Sequence, residues 1–148
     1  MTELGDLYQE IILDHGKRPR NFRRPETVDR KAEGDNPLCG DRITVYVALE
    51  NGVIVDASFE GAGCAISTAS ASLMSESVRG KTLEEAESLF EGFRDLVTGK
   101  ADPDATDLGK LAVFTGVREY PVRIKCATLP WHTLRAALQN EADAVTTE

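Results

Sequence analysis

Residues 41–64 read DRITVYVALENGVIVDASFEGAGC, and the alternation inside this stretch decides the fold. Ile43, Val45, Val47 and Leu49 alternate with Thr44, Tyr46, Ala48 and Glu50. Beyond Asn51-Gly52, Val53, Val55, Ala57 and Phe59 alternate with Ile54, Asp56, Ser58 and Glu60. Period-two alternation on both sides of an Asn-Gly pair predicts an antiparallel β-hairpin. A two-residue turn would set Val47 opposite Asp56 and Val45 opposite Ser58, which mixes the faces. A three-residue loop, Glu50-Asn51-Gly52 with Gly52 left-handed, instead pairs Leu49 with Val53, Val47 with Val55, Val45 with Ala57 and Ile43 with Phe59. That register is expected because it keeps one face apolar. Residues about 28–34 give a weaker signal for a third strand.

Helical periodicity surrounds the hairpin. Leu4, Leu7, Tyr8, Ile11 and Ile12 share one helix face over about 3–15, with Gly16 as a left-handed stop. Residues 65–79 carry Ile66, Ala69 and Leu73 among many small side chains, the pattern of a close-packed helix. Thr82 and Glu85 form a capping-box pattern before a helix over about 83–98. From Lys81 to Asp107 eight acids stand against three bases, so this is an acidic surface element, with 99–107 a loop. Leu108, Leu111 and Ala112 suggest a short helix. Thr128 is the expected cap of a last one, with Pro130 in its first turn and Trp131, Leu134 and Leu138 inward. The tail, about 141–148, is expected to fray. The expected architecture is α+β: a small antiparallel sheet of about three strands packed against several helices.

The 148 residues, 41% hydrophobic, suit one domain with an ordinary core that needs no disulfide or metal merely to fold. A net charge of −8 argues against nucleic acid. No apolar run approaches the roughly 20 residues that span a bilayer, and no signal segment is evident, so a soluble, cytoplasmic protein without a membrane partner is expected. KRPRNFRR at 17–24 concentrates five of the seventeen basic residues in an exposed, irregular arm that could steer docking onto an acidic partner surface.

The three cysteines, Cys39, Cys64 and Cys126, are odd in number and widely spaced, which does not suit a disulfide framework. Cys39 precedes the first hairpin strand and Cys64 follows the second, so an antiparallel hairpin brings them to the same end, and Asp41 comes with Cys39. Cys126 is the remaining thiol, although spacing alone does not bring it there. Three sulfurs and a carboxylate suit tetrahedral zinc, with a hard oxygen that exchanges more easily than the thiolates. Burial as small hydrophobes is the bland alternative for the cysteines, and a turn or cap role for Asp41. Gly61-Ala62-Gly63 fails as a dinucleotide loop, because Ile66 occupies the third glycine position and the strand belongs to a hairpin. His15 and His132 are the only histidines. A thiol paired with His132 is possible chemistry, but a packing role is the simpler reading.

YQEIILDHGKRPRN at 8–21, NPLCGDRITVYV at 36–47, FEGAGCAISTASASLM at 59–74 and RIKCATLPWHTL at 123–134 together resemble the iron–sulfur cluster assembly family of IscU-like and NifU N-terminal proteins. The resemblance covers about residues 6–140. The scaffold branch carries histidine just before the last cysteine, where this chain has Lys125, and a Leu-Pro-Pro-Val-Lys motif where this chain reads Tyr120-Pro121-Val122-Arg123. The long step from Cys64 to Cys126, with an acidic helical insertion at about 83–107, points to the zinc-dependent SufU branch. That resemblance implies a single domain over 1–148 in which Cys39, Asp41, Cys64 and Cys126 bind zinc. It implies that Cys39 accepts persulfide sulfur from a SufS-like cysteine desulfurase in a sulfurtransferase-like role. Downstream Suf assembly proteins or apo-proteins would be the recipients. The alternatives are a scaffold for a transient [2Fe-2S] cluster or iron on the same residues, and an adaptor with structural zinc.

Overall fold

The computed structural model describes residues 3–26, 28–37, 40–100, 108–140 and 145–146. Helix α1 (Glu3–Lys17) leads into strands β1 (Arg30–Asn36), β2 (Asp41–Glu50) and β3 (Val53–Ala62), followed by α2 (Ala65–Val78) and α3 (Leu83–Val97). A 3-10 helical segment, Gly109–Glu119, precedes α4 (Pro121–Leu138), and a two-residue strand β4 (Val145–Thr146) follows. The sheet order is β3-β2-β1-β4, with β1, β2 and β3 antiparallel as expected. The third strand lies two residues later than the alternation suggested, with Ala32, Gly34 and Asn36 turned inward.

The hairpin corrects the expected register. Asn51 and Gly52, at φ 53° and 78°, form a two-residue turn, so Glu50 faces Val53 and Leu49 faces Ile54. The face-mixing this would cause is cancelled by a β-bulge at Val55. Beyond it Ala48 faces Asp56, Val47 faces Ala57 and Val45 faces Phe59. The extra residue thus sits in the strand rather than in the turn. Val55 is left 44% exposed, while Val45, Val47, Ala57 and Phe59 are buried.

α4 packs on β1 and β2, and α2 packs on β3 and α4. α3 and the 3-10 segment close the far side around Trp131, which stacks with Phe90 and Phe93 at centroid distances of 6.0 and 5.0 Å. α3 begins as expected: the Thr82 side chain accepts from the Glu85 N–H, and the Glu85 carboxylate accepts from the Thr82 N–H.

Three further expectations are corrected. Gly16 is not a left-handed stop. It lies inside α1, and a Cβ there would stand 3.2 Å from Ala65 Cβ, so its smallness admits the start of α2. The last helix starts at Pro121 rather than after Thr128, because proline suits the first helical position, where its missing N–H costs nothing. Cys126 is therefore inside the helix, and Pro130 sits in the interior. Thr128 turns its hydroxyl back to the Ile124 carbonyl at 2.9 Å instead of capping. Within the tail expected to fray, Val145 and Thr146 pair in parallel with Gly34 and Asp35 on the outer edge of β1. The remainder of 141–148, and the loop at 101–107, lie outside the described residues. Of the basic arm, Arg20 pairs with Asp14 at 2.7 Å and Arg23 with Asp56 at 2.7 Å. Arg23 N–H and Asn21 C=O bond to Phe59, which pins part of this segment to β3.

Candidate metal centre

Asp41 opens β2 and Cys64 lies two residues beyond β3, so the pairing of Arg42 with Ala62 sets them together at one end of the hairpin. Asp41 is fully buried. Its Oδ1 accepts the Cys64 N–H at 2.9 Å, and its Oδ2 lies 4.0 Å from Cys64 Sγ. Cys64 is the N-cap of α2, where its sulfur accepts from the Ser67 N–H at 3.4 Å. The positive end of the helix dipole is thus aimed at a half-buried sulfur.

Cys126 comes from the second turn of α4 and is fully buried. Two contacts fix that helix over the hairpin end. Ser70 on α2 donates to the Ala127 carbonyl at 2.5 Å, and Gly34 on β1 lets Thr133 approach so closely that any Cβ would collide with its hydroxyl. Because Pro130 has no N–H, the Cys126 carbonyl does not receive the usual helical bond from residue 130.

One ligand atom from each of Asp41, Cys64 and Cys126 lies within 4.8 Å of the others. Zinc bonds of roughly 2.3 Å to sulfur and 2.0–2.2 Å to oxygen make the edges of a tetrahedral site somewhat under 4 Å. The group therefore fits a zinc ion with only a small contraction, and two thiols with one carboxylate are a donor set zinc accepts. Cys39, the fourth expected ligand, lies outside the described residues.

The histidines are placed elsewhere. His15 is buried, its Nδ1 2.6 Å from Ser72 Oγ, which also accepts the Arg20 N–H. Burial pushes its pKa down, Arg20 adds to that, and Glu76 opposes it. His132 packs edge-on against Phe90 at 4.9 Å, and burial followed by Arg135 and Arg94 lowers its pKa as well. Neither belongs to the metal group among the described residues, so the packing reading of His132 is the one the geometry favours. Lys125, where the scaffold branch has histidine, is half-buried beside Cys126.

Sequence reasoning did not single out Gly61 and Gly63 as shaping residues. At Gly61 a side chain would collide with the Arg42 carbonyl, and at Gly63 a Cβ would stand 2.6 Å from Asp41 Oδ1. Their signal was present as the paired glycines before Cys64. Phe22, 46% exposed, lines a small cleft together with Arg42, Gly63 and Ser67.

A family model, the NifU-like N terminal domain, matches residues 7–140. The zinc-dependent sulfurtransferase SufU of Bacillus subtilis is 43% identical over 95% of each chain. The iron–sulfur cluster assembly scaffold protein IscU of Streptococcus pyogenes is 39% identical over 97% of this chain and 90% of its own. Among solved structures, the scaffold candidate of the SUF system from Fervidobacterium islandicum superposes with a TM-score of 0.81 at 40% identity, covering 87% of this chain and 94% of that one. On this match of family, sequence and fold, the chain belongs to the NifU-like N-terminal domain family of iron–sulfur cluster assembly proteins, which includes SufU and IscU.

Proposed function

We propose that this chain is a zinc-dependent sulfur acceptor that takes persulfide sulfur from a cysteine desulfurase and passes it to cluster assembly partners. The observation that carries the reading is the donor set: two cysteine sulfurs and one fully buried carboxylate drawn within 4.8 Å. Asp41, Cys64 and Cys126 would hold zinc with Cys39 as the fourth ligand, and the bound ion would keep the thiols deprotonated at neutral pH. A sulfurtransferase named for its dependence on zinc is 43% identical over nearly the whole chain, which supports the same assignment.

Cys39 is the proposed acceptor. Its thiolate attacks the terminal sulfur of the desulfurase persulfide. A new S–S bond forms on Cys39 as the desulfurase S–S bond breaks, and the electron pair leaves with the desulfurase thiolate. One thiolate is consumed and one released, so no external oxidant or reductant is needed. Lys125 in place of histidine favours this role over cluster building.

The second reading, a scaffold carrying a [2Fe-2S] cluster, rests on the scaffold name of the relative at 39% identity and on the affinity of thiolates for iron. Metal analysis of the isolated protein, combined with mass spectrometry after incubation with desulfurase and cysteine, separates them. The expected result is one zinc, no visible absorbance and a gain of one sulfur atom on Cys39, absent in a folded Cys39→Ser variant. Iron and sulfide with visible absorbance, or no sulfur on Cys39, would overturn the proposal.

A further inference from the structure

We infer that Gly63 is a positioning residue: its missing side chain lets Asp41 dock one carboxylate oxygen on the Cys64 N–H, so that the other oxygen alone faces the metal position. Oδ1 is committed to the Cys64 N–H at 2.9 Å, while Oδ2 is the oxygen turned toward Cys64 Sγ at 4.0 Å. A Cβ on residue 63 would lie 2.6 Å from Oδ1, 3.2 Å from Asp41 Cγ and 3.4 Å from Ser67 Oγ. Real Cβ atoms do not approach within 3.0 Å, so the carboxylate would have to leave its N–H.

Two observations isolate this effect. Gly63 is not in the left-handed region, so alanine there is conformationally allowed and space is the only objection. The Asp41 backbone is held as well, because Asp41 pairs with Asn36 on β1 and its neighbour Arg42 pairs with Ala62 on β3. The strain therefore falls on the Asp41 side chain. The result is a carboxylate limited to one metal-facing oxygen, since a bidentate grip would require Oδ1 to abandon its donor. The metal-binding half of this inference rests on the ligand assignment proposed above, whereas the hydrogen-bond half stands without it.

The test uses the full chain carrying Gly63→Ala, Asp41→Ala, both together, and Asp41→Asn, which keeps an Oδ1 acceptor but replaces Oδ2 with a non-ligating amide. In metal-free, reduced protein the Cys64 amide proton resonance reports the hydrogen bond. It should keep its downfield position in wild type and Asp41→Asn and lose it in Gly63→Ala and Asp41→Ala. In zinc competition with a chelator, Gly63→Ala should bind roughly 10–100-fold more weakly, the usual range for losing a group that orients a ligand. The double variant should bind no more weakly than Asp41→Ala, because nothing remains to be positioned. Asp41→Asn should lose affinity despite an intact amide signal. Wild-type affinity and amide shift in Gly63→Ala, or losses that add in the double variant, would overturn the inference. Should Gly63→Ala not fold, an amide shift in Asp41→Asn matching that of Asp41→Ala would overturn it instead. Unchanged zinc affinity in Asp41→Ala would refute the ligand assignment while the metal-free amide shifts still decide the role of Gly63.

Discussion

The packing of α4 on β1 is the joint that sets Cys126 over the hairpin end, and Gly34→Ala tests it directly. A Cβ on residue 34 would collide with the Thr133 hydroxyl and stand 3.2 Å from Leu129 Cδ1 and 3.3 Å from Thr133 Cβ. The first contact is about 1 Å too short. It can be relieved by lifting α4 or by rotating Thr133 away from the Leu129 carbonyl, to which it donates at 2.8 Å. Overpacking of this kind costs roughly 1–3 kcal/mol. Against it stands the entropic gain of replacing glycine at an ordinary φ, about 0.4–1 kcal/mol. The clash wins, and a net loss of about 1–2 kcal/mol follows from these two terms. Thr133→Ala removes the colliding oxygen and leaves only contacts that a few tenths of an ångström relieve, so the double variant should be more stable than Gly34→Ala alone by about 1 kcal/mol or more. Urea titration followed by circular dichroism reads both. With a slope of roughly 1–3 kcal/mol per molar urea, the single variant should move the midpoint by several tenths of a molar or more, and the double should recover most of it. Because Thr133 lies two turns along α4 from Cys126, zinc affinity should fall and recover in step with stability. Additive effects of the two substitutions, or stability lost with zinc affinity untouched, would refute this account of how α4 is seated.

The metal-free protein should lose stability as pH falls below about 6.5. His15 and His132 both have folded pKa values depressed by burial, so their contribution is complete above the unfolded value near 6.5 and is lost as pH drops through the folded values. The three carboxylates with lowered values, Asp14, Glu85 and Asp56, give up their contribution only at lower pH. Asp14 and Glu85 are held low by Arg20 and by the Thr82 N–H, and Asp56 stays low because bonds from Arg23 and Arg79 outweigh its burial. Denaturant midpoints across that range should show the slope, and His15→Gln should flatten it; a profile that is level or rises on acidification contradicts the assignment. Removing zinc with a chelator should lower the melting temperature while leaving a cooperative transition and a helical spectrum. The core from Val45 and Phe59 through Leu73 to Phe93 and Trp131 is built without the ligands. Zinc at a thousand times its dissociation constant adds only about 4 kcal/mol to a fold that exists without it. Loss of the helical signature on chelation would instead favour a purely structural zinc.

Short-range physics carried much of the sequence reading. Alternation around Asn51-Gly52 marked the hairpin, Thr82 with Glu85 marked the start of α3, and antiparallel pairing alone required Asp41 and Cys64 to meet at one end. Each of these signals lies within a few residues or follows from one turn. The register did not, because the bulge at Val55 is held from outside the hairpin. Ile54 donates to the Lys81 carbonyl and accepts from Gly80, so the strand end answers to the α2–α3 connection as well as to β2. The start of α4 escaped for a similar reason. Pro130 reads locally as a first-turn residue, yet the seat of Trp131 between Phe90 and Phe93 and the close fit of Thr133 on Gly34 sustain a helix through it. Sequence by itself determined the topology of the hairpin end and that Asp41 and Cys64 meet there, since local pattern and chain connectivity suffice for both. Only the tertiary structure decided that Cys126 joins Asp41 and Cys64, and which oxygen of Asp41 turns toward the sulfur. Those depend on helix packing and on a missing Cβ, which act between residues far apart in the chain.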